Sequence, residues 1–230
     1  MIYVSIDIET SGLEPLNHSV LSFGAIIEDT TNKLPYEQLP KFNAIVLQNQ
    51  ITGSPRAISM NKEIISLIGE YKEGNDEDRA NLEHHSDYVF LEESELSQKF
   101  YDFLFLNGVY PNSWFQKNYS KTTSWGSFRN VNGTMIPAFN NHTPSLTINV
   151  AGKNFGTFDK LFLDELPWWR KLIKIRQRII DPSVLYCKWD EDESIPSLKK
   201  CKERAGIDGE VTHTAIEDAW DVVQMLRKFY

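Results

Sequence analysis

The chain has 230 residues, 41% of them hydrophobic and 24% charged, and a formal net charge of -8, an ordinary balance for one well-cored globular domain. No apolar run approaches the length of a membrane span, no basic or apolar leader precedes the first strand, and Cys187 and Cys201 form neither a CxxC nor a disulfide framework. Membrane insertion, export and a disulfide scaffold are thereby not expected, and a reducing cytoplasm is. The charge is unevenly spread: residues 1–102 hold 18 acids and 7 bases, 103–178 hold 3 and 10, and 179–230 hold 11 and 7. Between Phe103 and Phe158 there is no Asp or Glu, so an acidic protein carries a basic middle that can attract a polyanion locally.

Residues Ile2 to Glu9 alternate with period two, Ile2, Val4, Ile6 and Ile8 on one side and Tyr3, Ser5, Asp7 and Glu9 on the other, which predicts a strand. Asp7 and Glu9 then leave the same face at the strand's C-terminal end. Two anions so close repel unless a cation sits between them, although a strand ending on polar residues in solvent gives the same pattern. Thr10 to Leu13 turns the chain away. Strands are expected over Ser19–Thr30 and Phe42–Leu47, joined by a long loop to form an antiparallel meander. A short helix is expected over Asn61–Tyr71 and a solvated acidic loop, carrying His84 and His85, over Lys72–Asp87.

Glu92–Asn107 reads as an amphipathic helix with Leu96, Phe100, Phe103 and Leu104 on one stripe. The stretch Asn107–Ser145 is rich in Ser, Thr and Asn, carries Tyr110, Trp114, Phe115, Tyr119, Trp125, Phe128 and Phe139, and has a hairpin signal at Asn132-Gly133. With Lys117, Lys121 and Arg129 interleaved, it reads as a stacking platform for single strands, a flap packed on the domain or a subunit contact, with packing the commoner fate of clustered aromatics. An apolar strand at Leu146–Ala151 leads to a helix at about Phe155–Leu166. Trp168–Arg178 follows, apolar residues alternating with bases, then a strand at Ile179–Tyr186. A helix over Ser197–Ala205 is stopped by Gly206, and Thr214–Phe229 forms the closing helix. A meander followed by alternating strands and helices implies an α/β fold with one mixed sheet covered by helices.

The closing helix starts with Thr214-Ala-Ile-Glu217, a capping-box pattern that puts His213 just outside the helix and lets it converge with Asp218. Asp221, one turn on, competes with Asp218, and acids in a first turn also simply complement the helix dipole. Asp159, flanked by Phe155, Phe158 and Phe162, is partly desolvated and needs a cation, hydrogen bonds or water.

Taken together and in order, Asp7-Ile-Glu9-Thr10-Ser-Gly-Leu13, the segment Asn154–Leu163 around Asp159, and His213-x4-Asp218 resemble the DEDDh 3'-5' exonucleases. Asp181–Leu185 and Pro196–Gly206 look like the same family's approach to the last motif. The resemblance implies a ribonuclease-H-like fold, with a central five-stranded mixed sheet flanked by helices on both sides. It implies a single domain over 1–230, interrupted at about 69–91 and 108–145. It further implies two Mg²⁺ (or Mn²⁺) ions held by Asp7, Glu9, Asp159 and Asp218, with His213 as general base, an imidazole's ordinary pKa of about 6.5 suiting it to neutral pH. Thr10 and Leu13 would contact the terminal nucleotide, with Asn154 and Phe155 shaping its pocket; a satellite core role fits Leu13 equally well. The expected substrate is the 3' end of RNA or short single strands, with a DNA exonuclease or a catalytically silent binding module as alternatives and either a monomer or a homodimer as the assembly.

Overall fold

A computed structural model describes residues 1–110, 128–131, 133–209 and 212–230. Trp114, Phe115, Tyr119 and Trp125, with Lys117 and Lys121, lie outside the described residues, as do Asn132 and the side chains of Phe128 and Arg129, so the expected stacking platform does too.

Alternation in the first residues produces β1 (Ile2–Thr10) as an inner strand of a five-stranded sheet. It pairs antiparallel with β2 (Val20–Asp29), which pairs antiparallel with β3 (Lys41–Leu47). Two further strands flank this meander: β4 (Val89–Glu92) runs parallel to β3, and the short β8 (Val150–Ala151) runs parallel to β1. The sheet is therefore mixed, in the order β4-β3-β2-β1-β8.

Both faces are covered. Val4, Ile6, Ile8, Phe23, Phe42, Ala44 and Val46 pack against α4 (Glu93–Leu106) and α6 (Trp169–Leu172). There Phe100 stacks on Trp169 with ring centroids 5.5 Å apart. The opposite face holds α8 (Ala215–Leu226), with Ala219, Val222 and Val223 against Tyr3 and Ile26. Beside it lies α2 (Lys62–Glu73), whose Ile64 and Ile68 meet Leu21 and Ile45. Arg227 holds the end of α8 by a two-pronged bond to the fully buried Glu28, at 2.9 and 2.7 Å. Among the described residues no helix is long and apolar enough to cross a membrane.

Several expectations are corrected. Before α2 the chain forms another short helix, α1 (Pro55–Met60), capped by Ser54. The acidic stretch expected as a loop is largely helical: α3 (Asp76–His85) begins with a reciprocal cap between Asn75 and Asp78 and buries no residue. A helix that is polar all round has no apolar stripe to betray it, and only the Asn75-x-x-Asp78 cap was readable. After α3 the chain crosses over into β4, parallel to β3 and too short to register in the sequence. The expected Leu146–Ala151 strand breaks at Asn149 into β7 (Leu146–Ile148) and β8, and β7 pairs with β9 (Ile173–Ile175) in a separate ladder. The helix expected over Phe155–Leu166 is regular only as α5 (Asp159–Leu163). The strand expected at Ile179–Tyr186 reduces to one bridge between Ile180 and Ala151. From Pro182 the chain tightens into a 3₁₀ turn capped by Asp181, because Pro lacks the N–H a ladder needs. The helix over 198–205 (α7, Leu198–Ala205) ends at Gly206 with φ of 63°. The hairpin is present as β5 (Phe128–Val131) and β6 (Thr134–Pro137), whose Ile136 is buried in the core.

Candidate active site

Three segments bring the four predicted carboxylates to the C-terminal end of β1. Asp7 and Glu9 project from β1 toward α8, the face that also carries Ser5, whose hydroxyl donates to Ala219 O of that helix at 2.8 Å. The approach of α8 is close because Gly24, the cross-strand partner of Asp7, has no side chain: a Cβ there would lie 2.3 Å from the backbone of Ala215. That contact sets Asp218 over β1.

Asp159 arrives from the other side for a reason rooted in the sheet. The N–H of Val4 bonds Asn149 O, so alternate N–H groups of β1 point toward β8. Because β8 ends at Ala151, the N–H of Ile8 is left without a strand partner, and Asp159 Oδ1 accepts it at 3.1 Å. Asp159 is only 2% exposed.

His213 lies outside α8, as expected, with a left-handed φ of 55°. Side-chain ligand atoms of Glu9, His213 and Asp218 all fall within 4.8 Å of one another. Left-handed backbone is uncommon for a non-glycine residue and costs roughly 1–2 kcal/mol. Asn154, with φ of 58°, shares this conformation. The box at the helix start differs from the sequence pattern: the Thr214 hydroxyl donates to Glu217 Oε2 at 2.6 Å instead of capping a backbone N–H.

Asp221 does not compete with Asp218. Its carboxylate is 2.6 Å from the ammonium of Lys202, and both side chains are buried. Lys202 was not foreseen, though a signal existed, because it lies on the Leu198, Cys201 and Ala205 stripe of α7, where a lysine must find an anion. Asn61 was also missed. It is buried between α1 and α2, donates to Thr10 O at 3.1 Å and to Ala57 O at 3.2 Å, and its nearness favours the ionised form of Glu9.

Electrostatically the cluster is short of positive charge. Burial, then repulsion from Asp159, Asp218 and Glu9, pushes the Asp7 carboxyl well above its ordinary range. Burial first and the neighbouring acids second raise Glu9 to about 8. Burial raises Asp159 to about 7, and burial with Asp221 raises Asp218 to about 7. Asp218 Oδ1 is buried without a hydrogen-bond partner among the described residues. Hard oxygen donors, mutual repulsion and an orphaned carboxylate oxygen together fit divalent cations such as Mg²⁺ or Mn²⁺.

The raised values give a signed expectation. Groups that hold protons more tightly when folded stabilise the protein below the ordinary carboxylate range and lose that stabilisation as pH rises through about 7 to 8. In EDTA the melting temperature is expected to fall from pH 5 to pH 8.5, and Mg²⁺ or Mn²⁺ is expected to restore it most at the higher pH. Melting curves in which the metal effect is flat or reversed across that range would contradict a cation site here.

Beside Glu9 opens a cleft of about 370 Å³, lined by Thr10, Leu13, Arg56, Met60, Asn61 and Phe158 among others. Leu13 is 77% exposed, so it is a rim residue and not part of a satellite core. Thr10 is buried, its hydroxyl donating to Gly12 O. Asn154 and Phe155 do not line the cleft: Phe155 is wholly buried in the core, and the Asn154 N–H donates to Asp181. Phe158 stands where Phe155 was expected.

No protein-family model matches the sequence, and neither does any curated protein. Solved structures do resemble it. The nuclease domain of 3'hExo, a DEDDh family member bound to rAMP, aligns with 99% of this chain and 90% of its own at a TM-score of 0.56 and 12% identity. E. coli Exonuclease I in complex with a dT13 oligonucleotide aligns with 99% of this chain at a TM-score of 0.50 and 14% identity. The cell-death related nuclease CRN-4 does so at 0.52 and 10%, with 63% of its chain covered. The present chain spans 40% of the length of Exonuclease I. The fold is thus the ribonuclease-H-like fold of the DEDDh exonucleases, as the motifs implied.

Proposed function

We propose that this chain, built on the fold of the DEDDh exonucleases, is a 3'-5' exonuclease that releases nucleoside 5'-monophosphates from the 3' end of RNA or short single strands. The observation that carries the reading is the convergence of Glu9, Asp218 and His213 on one point beside Asp7 and Asp159, with an orphaned carboxylate oxygen in the cluster. Asp7, Glu9, Asp159 and Asp218 would hold two divalent ions, which supply Lewis acidity toward the scissile phosphodiester, its attacking water and the leaving 3' oxygen.

The chain's own residues account for the rest. His213, exposed and held outside the helix, accepts the proton of the attacking water through a ring nitrogen. Asp159 keeps its orientation through the Ile8 N–H, and Lys202 neutralises Asp221 so that Asp218 alone faces the cluster. In the adjoining cleft, Leu13, Met60 and Phe158 offer apolar surface to the terminal base, and Arg56 offers charge to a phosphate. Asn61, bonded to Thr10 O, fixes the wall between cleft and acids. The chemistry concerns the phosphate, so the acids do not choose between sugars. A DNA exonuclease is the second reading, favoured by the oligonucleotide bound to Exonuclease I.

A time course on 5'-labelled single-stranded RNA and DNA of one sequence, with Mg²⁺, Mn²⁺ or EDTA, tests the proposal. A metal-dependent ladder shortening from the 3' end supports it, and the relative rates rank the two sugars. Intact strands that remain bound would favour the silent binding module. In the same assay His213→Ala is expected to lose roughly 10²- to 10⁴-fold in rate while keeping the metal-induced rise in melting temperature. Normal turnover by that variant would remove His213 as the base.

A further inference from the structure

The basic middle of the chain, residues 103–178, ends in a run of bases, Arg170, Lys171, Lys174, Arg176 and Arg178. Three are engaged. Arg170 pairs with Glu165 at 2.8 Å, Lys171 lies over the Trp168 ring and reaches Asn141, and Lys174 donates to Arg170 O. The side chains of Arg176 and Arg178 have no hydrogen-bond, ion-pair or ring partner among the described residues.

The backbone sets these two arginines apart. Arg176 N–H bonds Ile148 O at the end of β9, but the next rung, to Val150 O, comes from Ile180. A regular parallel ladder would have used residue 178, so two extra residues bulge outward. Across from them the β7–β8 break falls at Asn149, whose side chain donates to Ile2 O. The strands part here and leave a cleft of about 610 Å³ lined by Asn149, Ile175, Arg176, Gln177 and Arg178. No acid lines it. The nearest carboxylate in sequence, Asp181, is taken up by the N–H groups of Asn154 and Ser183.

The geometry points to this cleft as a second site, one that binds backbone phosphates of the substrate strand upstream of its 3' end. Two guanidinium forks beside two amides suit phosphodiester oxygens, for which arginine supplies several donors in fixed geometry. The position agrees. Val150 pairs with Val4 and Ala151 with Ser5, so Asn149 is level with Tyr3, four residues from Asp7. That separation is roughly 13 Å along the strands, and the bulge lies roughly 10 Å across them. A strand whose 3' end sits at the acids therefore reaches the cleft once it is roughly four nucleotides long, and a dinucleotide does not. A chain of net charge -8 needs such a local cation pair to hold a polyanion.

This inference rests on the proposed 3'-end reading, and its test is separable from it. Binding of 5'-fluorescein RNA, as a dinucleotide and as a dodecanucleotide, is measured by anisotropy on Asp7→Asn protein with and without Arg176→Ala/Arg178→Ala. The added pair of substitutions is expected to weaken dodecanucleotide binding roughly tenfold and to reduce the salt slope by roughly 1.4, two phosphates at about 0.7 each. Dinucleotide affinity and melting temperature should stay unchanged. Unaltered dodecanucleotide affinity and slope would overturn the cleft, and so would an equal loss at both lengths. If the unmutated protein shortens no strand, the exonuclease reading fails while the anisotropy comparison still decides the cleft.

Discussion

Asp7→Asn is expected to abolish strand shortening and at the same time to make the metal-free protein more stable. The two effects have one origin. The Asp7 carboxyl is pushed upward by burial and by three neighbouring acids, so ionising it in the folded state works against folding, and an amide of the same shape removes that cost. At pH 8 in EDTA the gain should be about 1–2 kcal/mol, which in a chain of this size is roughly 2–8 °C in melting temperature. The variant should also lose most of the metal-induced rise in melting temperature, because one of the four oxygen donors proposed to hold the ions is gone. Paired thermal scans with and without Mg²⁺, run beside the ladder assay, check all three outcomes. A variant that cuts at the normal rate, or that melts lower without metal, would detach Asp7 from the proposed centre.

The second large effect is expected at a residue that carries no charge of its own. Gly24→Ala places a Cβ 2.3 Å from Ala215 C and 2.4 Å from Ile216 N, backbone atoms of the first turn of α8. Neither atom can swing aside as a side-chain tip can, so the helix itself must shift. Overpacking of this kind costs about 1–3 kcal/mol. Activity should fall further than stability, since Asp218 and His213 move with that turn and a displacement of about 1 Å can cost roughly 10²-fold in rate. Gly69→Ala in α2, where an added Cβ meets nothing within 4 Å, is the matched control and should leave activity unchanged while raising stability by up to about 1 kcal/mol, as alanine replaces glycine inside a helix. Equal behaviour of the two variants would show that the close approach at Gly24 does not position the site.

What could be read from the sequence followed from periodicity and order. Alternation in residues 2–9 located β1 and put Asp7 and Glu9 on one face, and the Thr214–Glu217 pattern set the start of α8 and left His213 outside it. The four acids and the histidine were singled out by motifs that, in their order along the chain, resemble the DEDDh exonucleases, since the local pattern around each left a plain structural role open. What escaped depends on contacts distant in the chain. Asn61 matters only because Thr10 and Glu9 lie beside it, and Phe158 replaces Phe155 at the cleft because the regular helix starts at Asp159. The bulge before Ile180 falls on Gln177 and Arg178, where no periodic pattern marks it, and the break at Asn149 is invisible in an apolar run, which reads as one strand whether or not its neighbour stays in register. The helix α3 was hidden for the opposite reason, having no apolar face to read.

The proposed centre draws Asp7 and Glu9 from the first strand and Asp218 from the last helix, with nearly the whole chain between them. Ions held there would act as a latch between the two extremities. A chain opened at α8 would carry Asp218, and His213 beside it, away from Asp7, Glu9 and Asp159 in one event, so free cation and docking of the helix are thermodynamically linked. Once the cation exceeds its dissociation constant, each further tenfold rise would favour the docked state by about 1.4 kcal/mol per ion. Resistance of the C-terminal segment to proteolytic attack would then follow the ambient supply of divalent metal, and the protein would endure longest in the conditions under which it is able to cut.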